Sequence, residues 1–156
     1  MEDKAMLKGW FKIDHFDKRG NLIESVETPN ALMNLGFKEI AQLIGTDTTS
    51  GATAFDYIAV GTGTTAATAT QTALITEITD TGLTRAAGTG TNVTTTVACD
   101  TFQLVKSFSP TGSKAVTESG VLNASSAGVM LCRQTFSAIN VTDGDTLTIT
   151  WKVKVA

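Results

Sequence analysis

Four charges stand in unusually apolar settings: Glu77 in LITEI, Arg85 in GLTRAAG, Glu118 in VTESGV and Arg133 in MLCRQTF. Each is isolated among apolar or small residues. A lone charge is costly to bury, so a charge in such a setting is either paired or reaches water. Two arrangements follow. Either Glu77 or Glu118 forms an ion pair with Arg85 or Arg133, fixing strand register or a subunit contact, or all four are surface charges at sheet edges, where pairing contributes little. Two carboxylates can also cleave a glycosidic bond, but only as a set pair, and nothing in the sequence singles one out.

The stretch FDYIAVGTGTTAATATQTAL, residues 55–74, suggests phosphate binding. A P-loop needs a longer glycine loop ending in Lys-Ser or Lys-Thr, because the lysine meets the phosphates and the hydroxyl holds magnesium. This loop has no lysine. A dinucleotide loop needs a third spaced glycine opening a helix, and none is present. Gly61 and Gly63 are therefore read as freeing the backbone where a buried strand leaves its sheet. His15 is the only histidine, which excludes a multi-histidine metal site, and its alternating strand predicts a half-buried or surface imidazole. Asp143 and Asp145 in TDGDT lack the further spaced oxygen ligands of a calcium loop and read as a turn. No Gly-x-Ser-x-Gly elbow occurs. Cys99 and Cys132 match no metal spacing and are expected to be small buried hydrophobes rather than a disulfide. Catalytic, metal and cofactor residues are accordingly expected to be none. The sequons at Asn92, Asn123 and Asn140 carry weight only in a secreted chain.

The elements that position these residues make one domain. A chain of 156 residues, 42% hydrophobic, is long enough to bury a core without metals or staples. Its net charge of −3 argues against a nucleic-acid partner, which calls for a basic face. No apolar stretch reaches membrane-spanning length. The start, MEDKAMLKGWFKID, is charged and unlike a secretory signal, which suggests synthesis in a cytoplasm. Threonine is the commonest residue, and its branched Cβ favours strands.

Segments 7–16 and 22–27, separated by the turn residues DKRGN, predict a hairpin. Helical spacing of Leu32, Leu35, Ile40, Leu43 and Ile44 predicts one helix near residues 31–44, with Asn30 as its N-cap and Gly45 at its end. Residues 55–61 read as a buried strand, and 71–78 fit a short helix or a strand. From residue 83 onward the pattern is strands and turns, with 92–100 and 101–109 as candidates for one long strand. The last segment is the clearest. Leu147, Ile149, Trp151, Val153 and Val155 alternate with Thr and Lys, placing one set inward and the other in water. The fold class is mainly β: an antiparallel sandwich or barrel, jelly-roll-like, with one helix. Residues 1–8 are a candidate flexible arm, and 1–8, 46–54 and 62–71 are candidate docking or intersubunit segments, small and polar enough to stay mobile when free.

The order of these segments resembles a group of small tailed-phage virion proteins, described as head-decoration, auxiliary capsid or tail-associated proteins. The resemblance runs from about Gly9 to Val155. It rests on Asn-Ala-Leu…Gly at 30–36, Tyr-Ile-Ala-Val-Gly-Thr-Gly at 57–63, Thr-Ala-Leu…Glu at 72–77, Glu-Ser-Gly-Val-Leu-Asn at 118–123 and Val-Thr-Asp-Gly-Asp at 141–145. It implies a non-enzymatic structural role on a virion, with the major capsid protein or other virion proteins as partners. It also implies a symmetric homo-oligomer, a trimer foremost. The alternative is a tail or fibre component binding cell-surface glycans, for which Trp10 and Trp151 are the aromatic candidates, Trp151 falling on the apolar stripe.

Overall fold

The computed structural model describes residues 7–37, 40 and 53–155. The chain runs through ten strands: β1 (Leu7–Phe16), β2 (Leu22–Pro29), β3 (Ala31–Leu32), β4 (Tyr57–Gly61), β5 (Ala86–Ala87), β6 (Thr89–Val93), β7 (Thr101–Phe108), β8 (Lys114–Leu122), β9 (Met130–Val141) and β10 (Thr146–Val155). They form two five-stranded sheets, β2-β1-β10-β7-β6 and β3-β9-β8-β4-β5, here called A and B. Every described pairing is antiparallel. Each sheet keeps two edges, so the architecture is a sandwich and not a closed barrel.

The period-two pattern dictates the core. On β10, Leu147, Ile149, Trp151 and Val153 are buried, while the threonines and lysines between them reach toward water. Phe11 and Ile13 pair in register with Trp151 and Ile149, and Leu104 of β7 lies opposite Trp151 on the other side. The facing sheet contributes Ile58, Val60, Val121 and Cys132. The Phe11 ring stands 4.7 Å from that of Trp151 and 5.0 Å from that of Phe136. The Trp151 indole N–H donates to Ser119 Oγ (3.3 Å), and that hydroxyl donates to the Ala59 carbonyl (2.9 Å). The one large polar tip in this core is thereby satisfied.

Sheet B is covered on both sides. A second cluster, Met33, Ala59, Leu74, Leu122 and Met130, is separate from the main core. Ala59 and Leu122 stand in register with Gly120 and Tyr57, on the face of sheet B opposite Ile58 and Val121. β8 is correspondingly buried from Val116 to Leu122 without alternation. A strand covered on both faces loses its period-two signature.

Three expectations need correction. Ala31 and Leu32 are strand, not helix, pairing with Arg133 and Cys132 of β9, and Met33 N–H donates to Leu131 O (2.8 Å). Helical residues begin only at Asn34; the described ones are 34–37 and 40, and the remainder of the expected 31–44 helix, with Gly45, lies outside the described residues. Asn30 is therefore no N-cap; its own N–H donates to Gly9 O (3.0 Å). The apolar spacing misled because Met33, not Leu35, is the buried anchor: Met33 is fully buried and Leu35 is 39% exposed. Residues 92–100 and 101–109 are not one strand. Asp100 accepts N–H bonds from Thr95, Thr96 and Val97, and this turn reverses the chain so that β6 pairs with β7. Residues 71–78 are neither helix nor strand, apart from one bridge between Gly61 and Glu77.

Candidate functional site

The four flagged charges fall into two pairs. Arg133 Nη2 lies 2.7 Å from Glu118 Oε2, and both side chains are fully buried. Arg85 Nη2 lies 2.6 Å from Glu77 Oε2, with Arg85 nearly buried and Glu77 partly exposed. Strand register builds the first pair. Gly120 separates the two residues: it follows Glu118 by two positions on β8 and stands opposite Arg133 on β9. Its missing side chain leaves space that a Cβ would contest with Leu74, 2.8 Å away.

Glu118 sits in a dense ring of donors. Its Oε1 accepts from Gly63 N–H (3.0 Å) and Thr76 N–H (2.7 Å), and its Oε2 accepts from Ile75 N–H (3.1 Å) and Arg133 Nε–H (2.8 Å). The glycine loop thus does cradle an anion, but the anion is the chain's own carboxylate. This also revises the reason for the glycines. Neither Gly61 nor Gly63 has a positive φ. A Cβ on either would stand 2.5 Å from Glu118 Oε1, so the missing side chain admits the carboxylate.

Arg133 extends the same network. Its Nη1 donates to Gln71 Oε1 (2.8 Å) and its Nη2 to Thr65 O (2.9 Å). Thr117 Oγ1 donates to Gly63 O (3.0 Å). One ion pair on sheet B therefore holds the Thr/Ala loop at both ends, and Leu74 closes over the second apolar cluster. Residues 62–71, expected to stay mobile, are tied to β8 and β9 at Gly63, Thr65 and Gln71. Arg85 works the same way on another loop. It grips Glu77 with two N–H groups, at 2.9 and 2.6 Å, and its Nη1 donates to the carbonyls of Ala124 and Ala127. The Arg fork fits such planar, divided recognition.

A third polar pair was missed. His15 is buried, not half-exposed, and its Nε2–H donates to Asp145 Oδ2 (2.9 Å). That oxygen also accepts from Thr142 N–H (2.7 Å) and Thr142 Oγ1–H (3.1 Å). Burial alone would raise the Asp145 carboxyl, but the bonds from His15 and Thr142 outweigh it and hold the carboxyl below its ordinary range. The signal was present: His15 shares the parity of Gly9, Phe11 and Ile13, all buried on β1. The pair ties the end of β1 to the β9–β10 turn, beside an open cleft of about 620 Å³ that Lys18, Arg19, Glu24 and Asp143 also line.

The cysteines differ from one another. Cys132 is buried, and burial pushes its thiol well above the usual range, leaving it unreactive. Cys99 is exposed, contrary to expectation, at the left-handed position (φ 59°) of the Asp100 turn. Trp151 is core, whereas Trp10 is half-buried on the opposite parity. Among the described residues, no cluster of three or more His, Cys, Asp or Glu side chains is placed to share a metal ion. No described helix is long and apolar enough to cross a membrane.

The arrangement's chemistry is that of internal anion recognition, with both carboxylates of the ion pairs met by donors from their own chain. No known family matches this chain, and neither a curated protein nor a solved structure matches it.

Proposed function

We propose that this chain is a non-enzymatic structural protein of a tailed-phage virion. In this reading it is made in the host cytoplasm and decorates or cements the head by binding the major capsid protein as a symmetric oligomer, foremost a trimer. The observation that supports it most is the saturation of Glu118. Three backbone N–H groups and a guanidinium occupy a buried carboxylate that a hydrolase would need to keep available. Polar groups used in this way stiffen a surface and do not transform a substrate. The segment order supports the reading independently. Edge strand β2 adds a candidate subunit contact, since Leu22 and Ile23 are 56% and 57% exposed.

The test is co-sedimentation of the purified full chain with phage heads that lack it. Saturable binding at a fixed number of copies per capsid is expected, with a discrete oligomer by light scattering. A strictly monomeric chain without affinity for any head would overturn the reading. Trp10, presented on the outer parity of β1, keeps the glycan-binding tail or fibre module as a second reading.

A further inference from the structure

The outer face of sheet A carries charge opposite to the molecule as a whole. Trp10 stands on it directly across from Lys152, with Pro29 on its other side. Lys8 and Lys12 flank it two residues away along β1, and Lys154 lies across from Lys8. Four lysines thus share this face with Asp14 and Glu27, on a chain of net charge −3. Two of the lysines are engaged: Lys12 with Asp14 at 2.7 Å, and Lys154 with Thr96 at 2.6 Å and with Asp100 at 3.9 Å. Lys8 and Lys152, which line clefts on opposite sides of Trp10, make no ion pair or hydrogen bond among the described residues.

We propose that this face binds a carboxylated polysaccharide, one sugar ring stacking on Trp10 while carboxylates of neighbouring uronates meet the ammonium groups of Lys8 on one flank and Lys152 on the other. The spacing suits this. Cross-strand Cβ atoms lie about 5 Å apart, and positions i and i+2 of a strand about 7 Å apart, so Lys8 and Lys152 flank the ring within reach of successive carboxylates of one polymer. The indole has room on both sides. A cleft of about 450 Å³, lined by Lys8, Pro29 and Phe37 among others, runs along one flank. A smaller one, about 80 Å³, lies on the other, lined by Lys12, Glu27, Thr150 and Lys152. The neighbouring positions Thr150 and Gln103 present a hydroxyl and an amide, which match sugar hydroxyls.

Charge decides among other occupants. A second copy laid face to face would set lysines against lysines. A nucleic acid calls for a basic groove of greater reach, which Asp14 and Glu27 interrupt. A protein hot spot centred on tryptophan calls for a desolvated apolar surround, and here the ring is bordered by lysines.

The experiment is affinity electrophoresis of the full chain in gels containing polygalacturonate, a neutral glucan, polyglutamate or single-stranded DNA. Binding to polygalacturonate is expected, weakening as salt rises, with the neutral glucan inert. Trp10→Ala is expected to weaken it about tenfold or more. Lys8→Gln with Lys152→Gln should weaken it to a similar extent and flatten the salt dependence. The double lysine variant should melt at the wild-type temperature, since Lys8 and Lys152 lie outside the core, and Trp10→Ala should keep the wild-type fold by circular dichroism at the assay temperature. Equal retention by polyglutamate or DNA would overturn the proposal in favour of general polyanion attraction. Indifference to Trp10→Ala, or absence of polygalacturonate binding, would also overturn it.

Discussion

At the scale of single residues, Glu118 shows how a buried charge becomes structure. Its carboxylate orders three loop amides at once, and Arg133 neutralises it where both side chains are fully buried. Removing one partner of such a pair leaves an uncompensated buried charge, which costs about 3–5 kcal/mol. Glu118→Gln and Arg133→Met should each lower stability by about that amount in urea unfolding, and the double variant should lose clearly less than the sum of the two. Additive losses would show the two residues to be uncoupled. The sequence exposed these charges through their apolar neighbours, but not their partners. Partner choice depends on β8 lying beside β9 and on loop 62–78 folding back over both, and neither follows from local spacing. His15 was misjudged because alternation was read without fixing which parity faces the core, and His15 shares the parity of Phe11 and Ile13.

Asp145 makes this scale testable by pH. Its carboxyl is held below the ordinary value of 3.8 in the fold. A group whose folded value is depressed contributes stability that is full above its unfolded value and lost as pH falls through the folded one. Asp145→Asn should therefore melt below wild type at pH 6, with the gap narrowing toward pH 2.5. A gap that is constant across that range would show that the carboxylate's charge plays no part.

At the scale of elements, legibility followed solvent contact. β1 and β10 alternate cleanly because one face of sheet A meets water, and their bounds could be read from the pattern. Sheet B is covered on both sides, so β8 and β4 show runs of burial without a period. β3 and β5 have two residues each, too short for any periodic signal. The start of the helix was misjudged for a related reason, although the described helical residues 34–37 and 40 lie within the expected range. Edge pairing of Ala31 and Leu32 with β9 competes with helix initiation and wins, because it satisfies their backbone groups at once. Edge β2 carries the subunit contact suggested above. Ile23→Arg should shift the oligomer toward monomer by light scattering without changing the monomer's urea midpoint, since Ile23 is exposed. An unchanged mass would remove β2 from the interface.

At the scale of the whole molecule, two sheets enclose one apolar core, and polar staples fasten the long connections to them. A surface prepared in this way loses little conformational freedom when it docks, which favours binding many equivalent sites. The Thr/Ala loop is the decisive case. It is largely exposed and composed of residues that suggest a solvated tether, yet its amides at Gly63, Ile75 and Thr76 point at a buried carboxylate. Hydrogen exchange resolved at those three amides tests this stiffness most directly. Protection approaching that of the β8–β9 core is predicted in the wild-type chain, with selective loss in Glu118→Gln. Exchange at the rate of an open loop in the wild-type chain would contradict the account.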